Sequence, residues 1–179
     1  MRIVYYLAAS LDGRIAGPEH DLSFLQTLPG GPSGYGYDEF IAEVDGLVVG
    51  ASSWDFMKDY PWTYGERPVW VVTHRADAPR IEGADMHVFS GEVADLVREL
   101  EAAGLERVWV IGGGNVVGQL LAADRLDEVI LTLAPTFVGR GPAVADGEFP
   151  LRRFRLVSVD RREGDDGVTL RYERNRALD

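Results

Sequence analysis

The run Val110-Ile111-Gly112-Gly113-Gly114-Asn115-Val116 places three glycines and an amide between an apolar stretch and a helical pattern. Backbone N–H groups at the start of a helix attract anions, because the first turn leaves its donors unpaired and the helix dipole adds roughly half a positive charge there. Residues without a Cβ let a phosphate approach that backbone closely. The spacing departs from the dinucleotide fingerprint, since Gly112 and Gly114 require a third glycine where Val117 stands, and no Gly-Lys-Ser/Thr follows as in a P-loop. For this segment alone, a phosphate cradle and a tight packing turn are equally good readings.

Two further segments bear on the choice. In "VDGLVVGASSWDFM" a strand again runs into a glycine and small polar residues, so Gly50, Ser52 and Ser53 offer a second helix start with hydroxyl donors. "VWVVTHR" ends a third strand on Thr73, His74 and Arg75, donors suited to a ribose or its 2′-phosphate. Taken singly, Ser52 reads as a helix cap and Arg75 as a solvated surface residue. Their order along the chain favours two helix starts facing one cleft and holding a pyrophosphate from both sides.

The elements that must position these groups alternate. Short apolar runs at 2–9, 45–50, 67–73, 86–89, 107–112 and 128–135 are rich in β-branched and aromatic residues and bounded by Gly, Pro or Asp. Such continuous runs suit strands buried on both faces. Helical spacing falls between them, most clearly over 91–104. There Val93, Leu96, Val97 and Leu100 share a face, Ser90 is placed to cap the start and Gly104 the end. Further helices are expected over 37–44 and 115–123. The last strands, 154–160 and 168–174, alternate around a polar Gly164-Asp165-Asp166-Gly167 turn, which predicts an antiparallel hairpin. The pattern is α/β, one domain over 1–179, with helices flanking a mixed, mostly parallel sheet. The stretch 27–39, with its glycines, prolines, Tyr35 and Tyr37, reads either as a flap over a pocket or as a solvated loop.

Composition limits the partners. The chain of 179 residues is 46% hydrophobic, enough for a sizeable core. With 18 basic against 29 acidic side chains, its net charge of -11 repels nucleic acid and anionic membranes. It has no cysteine and three scattered histidines, which disfavours a metal site. The apolar run after Arg2 is too short for a membrane span and no signal-peptide cleavage pattern follows it, so a cytoplasmic location is expected.

"YYLAASLDGRIAG", the strand ending in Gly50, "VVTHR", "VWVIGGGNVVGQLL" and "LTLAPTFVGRGPAV" together resemble the dihydrofolate reductase-like superfamily, in the branch related to the C-terminal reductase domain of riboflavin biosynthesis. The resemblance spans about residues 2–174. It implies a three-layer α/β/α sandwich, an NADPH-dependent reductase similar to 5-amino-6-(5-phosphoribosylamino)uracil reductase or dihydrofolate reductase, and often a homodimer. By position it implies that Ala8, Ile15 and Ala16 line a nicotinamide pocket and that Gly50, Ser52 and Ser53 face the phosphates. Thr73 and Arg75 would meet the adenosine ribose, and Gly112, Gly113, Gly114, Asn115 and Val116 the pyrophosphate. Many members carry Gly-Arg-x-Thr-Tyr where this chain has Gly50-Ala51-Ser52-Ser53-Trp54. The absent arginine removes a cation that a 2′-phosphate needs, which admits NADH as cofactor, or a dinucleotide-binding protein without turnover.

Hydride transfer requires the nicotinamide held against its acceptor and a proton where charge develops. Burial raises a carboxyl's pKa toward neutrality, so Asp12, in the family motif, and Asp38 or Glu39, behind the glycine-rich loop, are the candidate donors; water is the alternative. Asp12 also reads as a fixer of its own turn and Asp38 as a helix start. Tyr37, Phe40, Trp54 and Trp62 could stack on a flat heterocycle, though core packing is the commoner fate of such residues. No Lys or Arg cluster marks the substrate end; Arg14, Lys58, Arg67 and Arg140 are the candidate anchors. Phe154, Leu156, Val168 and Leu170 need a cover, which either a second subunit or a helix of the same chain supplies.

Overall fold

The computed structural model describes residues 1–28, 30, 35–161 and 163–178. Eight strands form one sheet: β1 Arg2–Ser10, β2 Gly46–Gly50, β3 Pro68–Val72, β4 Asp85–Phe89, β5 Arg107–Gly112, β6 Glu128–Ala134, β7 Phe154–Asp160 and β8 Val168–Arg174. Among the described residues four α-helices accompany them: α1 Tyr37–Ala42, α2 Ala51–Met57, α3 Val93–Ala102 and α4 Gly114–Ala122. The strand order is β4-β3-β2-β5-β1-β6-β8-β7. The first six strands of that order run parallel, and β8 and β7 close the other side antiparallel.

Three layers follow from the strand pleat, which sends successive side chains to opposite faces. On β1, Ile3, Tyr5, Leu7 and Ala9 pack with Leu96 and Leu100 of α3 and Val116, Val117 and Leu120 of α4. Val4 of the same strand joins Leu47, Val49 and Trp109 against Phe40 of α1 and Trp54 of α2. The α/β/α architecture and the C-terminal hairpin are those expected.

Three local expectations are corrected. The strand at 86–89 is not buried on both faces: β4 lies at a sheet edge, with Asp85, His87 and Val88 exposed. Ser90 does not cap α3, whose N-cap is Glu92; the Ser90 hydroxyl instead meets His74 Nδ1 at 2.9 Å. The hairpin turn is not uniformly polar surface, because Asp165 is buried, accepting from Gly167 N at 2.8 Å and from the Tyr35 hydroxyl. Part of the proposed flap, residues 29 and 31–34, lies outside the described residues. Among the described residues no helix is long and apolar enough to cross a membrane, and no three potential ligand side chains converge as a metal site requires.

Candidate active-site trough

The parallel strands deliver their C-terminal ends to one edge of the sheet, where ligands of open α/β folds bind. At that edge β5 carries one extra residue: Val48 of β2 faces Val110, but Val49 faces Gly112, so Ile111 is bulged. Bulges of this kind re-aim the backbone beside functional sites. The chain then passes through a cis Gly112–Gly113 peptide into α4.

The three glycines differ in what the fold asks of them. Gly112 has φ +141, a conformation that favours glycine. At Gly114 a Cβ would stand 2.4 Å from the Ala143 carbonyl oxygen, so close packing excludes a side chain. Gly113 has φ -90 and ψ -178, which any residue adopts, and a Cβ there would meet only Ser53 Oγ at 3.5 Å. Neither backbone nor packing therefore requires glycine at 113. Neither α2 nor α4 has a side-chain cap on its first turn, and both helix starts leave N–H groups to the trough.

Three connected chambers make up that trough. The first, about 520 Å³, brings together Gly50, Ala51, Ser52, Thr73, His74, Arg75, Gly113, Asn115 and Val116 from three segments distant in sequence. Two helix starts thus face one cleft. The second, about 480 Å³, is lined by Ala8, Ile15, Ala16, Ser53, Gly114 and the loop residues Pro142 and Ala143, and shares Ser52, Gly113 and Asn115 with the first. The third, about 420 Å³, is reached through Leu7, Ala8, Leu25 and Tyr64, which line both. Its walls are aromatic: Tyr6, Tyr35, Tyr37, Tyr64 and Trp109. Gly112 lines none of the three, and acts through the backbone turn alone.

Several candidate side chains do not serve as expected. Trp54 is fully buried, its indole N–H donating to the Pro79 carbonyl at 2.7 Å, so it packs α2 onto the sheet and cannot stack on a ligand. Phe40 is likewise buried behind Tyr6, with ring centroids 4.5 Å apart. Tyr37 does line the third chamber. Asp38 is exposed on α1 and lines no chamber, so it lacks the apolar enclosure a proton donor near neutrality needs.

Asp12 is corrected on stronger grounds. Its carboxylate accepts from Val138 N at 2.9 Å, Gly139 N at 2.7 Å and Ser10 Oγ at 2.7 Å. The backbone hydrogen bond from Val138, followed by that from Ser10, lowers its pKa from 3.8 to about 2. Such a group is ionised at neutral pH and fastens the loop after β6 to the loop after β1. A depressed folded pKa contributes stability above the unfolded value that is lost as pH falls through the folded one. Stability should therefore decline between about pH 4 and pH 2. In Asp12→Asn that part of the decline should disappear, read from urea midpoints across the range; superimposable profiles would contradict the clamp.

The sequence reading missed two participants. Asp55, on α2, accepts from Arg75 Nη2 at 2.7 Å inside the first chamber, and this bond lowers the Asp55 pKa and raises that of Arg75. The two are 20 positions apart, and no local pattern pairs them. Tyr5 borders the second chamber with its hydroxyl buried and, among the described residues, without a hydrogen-bond partner, and burial drives its pKa upward. In sequence it was simply part of an apolar run.

Comparison with known proteins gives a consistent result. The sequence profile of the RibD C-terminal domain matches residues 2–166. YwjB of Bacillus subtilis, an uncharacterised protein, is 28% identical over 142 residues, covering 78% of this chain and 80% of its own. The 2,5-diamino-6-ribosylamino-4(3H)-pyrimidinone 5′-phosphate reductase of Archaeoglobus fulgidus is 32% identical over 85 residues, 46% of this chain and 39% of that protein. The crystal structure of a protein from Shewanella sp. PV-4 named for riboflavin biosynthesis superposes with a TM-score of 0.84 at 27% identity, covering 98% of this chain and all of its counterpart.

Proposed function

This chain belongs to the RibD C-terminal domain family and is an oxidoreductase related to pyrimidine reductases, and from that premise we propose that it transfers hydride from NADPH to a pyrimidine- or pteridine-like ring. The observation that carries the reading is the continuity of the trough. A polar chamber between two uncapped helix starts opens into a mixed chamber, and that into an aromatic one. A dinucleotide laid along it has its adenosine ribose near Thr73 and Arg75, its pyrophosphate against Gly50 to Ser53 and Gly113 to Val116, and its nicotinamide beside Ala8, Ile15 and Ala16. The residues present fit such a group, since neither the φ nor the packing of Gly113 calls for glycine and its missing side chain leaves the backbone open to a ligand's close approach.

The nicotinamide supplies the hydride; this chain's residues supply position. Ala8, common to the second and third chambers, stands where donor and acceptor rings meet. Pro142, and Ala143 packed onto α4, wall the second chamber and limit the water that reaches the reacting carbon. With Asp12 held ionised and Asp38 outside the chambers, neither of these carboxyls supplies the proton that accompanies the hydride to the substrate's adjacent nitrogen; water is the alternative source.

NADH is a second reading for the cofactor, favoured by Asp55. Its carboxylate occupies the guanidinium that a 2′-phosphate would use, and Ala51 offers no replacement cation. Comparative titration with the two dinucleotides separates them.

Gly113→Ala tests the cradle. A role confined to the fold predicts unchanged dinucleotide affinity. Occupation of that space by a pyrophosphate predicts at least about a tenfold loss, roughly 1.4 kcal/mol, in calorimetric titration of the folded variant. Wild-type affinity in that variant would refute the cradle, and the absence of NADPH or NADH oxidation with every pyrimidine or dihydropterin acceptor would leave only a binding protein.

The reading includes a homodimer through the C-terminal hairpin. Leu156, Val157 and Val159 of the edge strand β7 are about half exposed, an apolar strip that a second copy would cover. Light scattering at micromolar concentration should return twice the chain mass; a monomer mass would reject it.

A further inference from the structure

The third chamber is built to stack on a ring and not to hold an anion. Trp109, mostly buried in the core, lines it, with Tyr64 edge-on at 5.6 Å, Tyr37 at 6.0 Å and Tyr6 at 6.1 Å between ring centroids. Several polar atoms of this wall are already committed. Trp109 Nε1 donates to the Tyr6 carbonyl at 3.0 Å, the Tyr6 hydroxyl to the Tyr35 carbonyl at 3.2 Å, and the Tyr35 hydroxyl to Asp165. Thr132 pairs with Thr169 at 2.9 Å. Among the described residues the hydroxyls of Tyr37 and Tyr64 have no such partner. Burial raises both pKa values, that of Tyr64 to about 12, so both phenols keep their protons and can donate to a ring carbonyl or nitrogen.

Cations are excluded from this wall in two ways. Among the described residues lining the chamber none is Lys, Arg or His. The guanidinium groups behind the aromatic layer point their donors at other partners, although the Arg67 charge is still felt at Tyr37. Arg67 donates to the carbonyls of Val44 at 2.7 Å, Ile41 at 2.7 Å and Tyr64 at 2.9 Å, while Arg107 lies over the Phe40 ring and pairs with Glu128 at 3.1 Å. Asp38 and Glu39 add negative potential, felt at Tyr6, whose pKa rises to about 12 mainly through burial and further through these neighbours. A phosphate dianion placed here would lose its hydration without a cationic side chain among the described lining residues to pair with it directly.

We propose that the third chamber takes a planar heterocycle without a phosphate tail, stacked among Tyr6, Tyr64 and Trp109 and hydrogen-bonded by Tyr37 and Tyr64. The proposal rests on the reading of the trough as a hydride-transfer site, and it separates this chain's substrate from the 5′-phosphate in the name of the archaeal relative's. The ring brings the polar edge that the two free phenols recognise, and its substituents are uncharged.

The test is a pair of titrations of the full chain, each with and without NADP⁺, followed by tryptophan fluorescence. The probes are 2,5-diamino-6-ribosylamino-4(3H)-pyrimidinone and its 5′-phosphate. The expected result is binding of the phosphate-free compound at least tenfold tighter than its phosphate ester. Equal affinities, a preference for the ester, or failure of both to bind would overturn the proposal. Thr63→Arg, at an exposed position of the chamber lining, places a guanidinium there and should narrow the preference by improving only the ester's binding. An unchanged ratio would remove the discrimination from this chamber. The titrations without dinucleotide keep the outcome independent of the cofactor reading, which fails separately if neither NADPH nor NADH binds.

Discussion

Glu128→Ala is expected to lower unfolding stability by about 3–5 kcal/mol, the cost typical of removing one partner from a buried ionic group. Glu128 opens β6 with no exposure at all, and Arg171 Nε at 2.6 Å, Arg107 Nη2 at 3.1 Å and Arg2 Nη2 at 3.4 Å surround it. The contacts are close but poorly aligned for hydrogen bonding, so the attraction is mainly Coulombic. Alanine would leave three guanidinium groups facing one another across a cavity. Arg2 and Arg171 are nearly half exposed and can turn toward water, and Arg2 keeps Glu173 at 3.1 Å, whereas Arg107 is mostly buried and is left with the exposed Glu43 carboxylate at 3.5 Å. The low end of the range is therefore expected, still a large fraction of the roughly 5–15 kcal/mol that holds a typical domain together. Glu128→Gln, which keeps the shape, should lose less. Urea denaturation reads both, and a midpoint shift worth under about 1 kcal/mol for the alanine variant would contradict the account.

Gly118→Ala should damage both stability and binding, although in an isolated helix it would help. Alanine is favoured over glycine by about 1 kcal/mol in a helix interior. Here, however, a Cβ would stand 1.9 Å from the carbonyl oxygen of Asp146 and 2.9 Å from its carbonyl carbon. Both are backbone atoms, so no rotamer change relieves the clash, and α4 must separate from the loop after β6. Overpacking of this kind costs about 1–3 kcal/mol and occasionally more, which outweighs the propensity gain. The same loop supplies Pro142, Ala143 and Asp146 to the second chamber. Dinucleotide affinity of the folded variant should fall about tenfold, roughly 1.4 kcal/mol. A variant as stable as the parent with unaltered affinity would show that the loop can retreat freely.

Gly118 also marks a boundary of what sequence can convey. Its neighbours in α4 follow helical spacing, so the element is legible, but the reason for a glycine inside it is a carbonyl 28 positions away. The strands were read to within a residue or two because their apolar runs are continuous and sharply punctuated, and the hairpin because its alternation is uninterrupted. The edge position of β4 was hidden, since a run of four residues, Met86 to Phe89, looks alike in the middle of a sheet and at its border. For the trough, the glycine turn, Gly50 to Ser53 and Thr73 to Arg75 carry local signatures and do meet in space. Asp12 was visible as a motif residue, yet its function as a loop clamp depends on Val138 and Gly139, which no local pattern connects to it. Trp54 and Phe40 failed as stacking residues because an aromatic side chain looks the same in sequence whether it faces a pocket or the core.

The strand order has a temporal side. β1 is made first, but its two neighbours in the sheet are β5, beginning at Arg107, and β6, beginning at Glu128. On a ribosome adding about 5–20 residues per second, "RIVYYLAAS" therefore waits seconds with both edges unpaired while β2, β3 and β4 assemble beside it. The centre of the finished sheet is filled only after the β2-β3-β4 side has been made, and before the β8-β7 edge. Any nascent chain that stops before β5 presents an apolar strand with two open edges, a ready template for pairing with another chain or for capture by a chaperone.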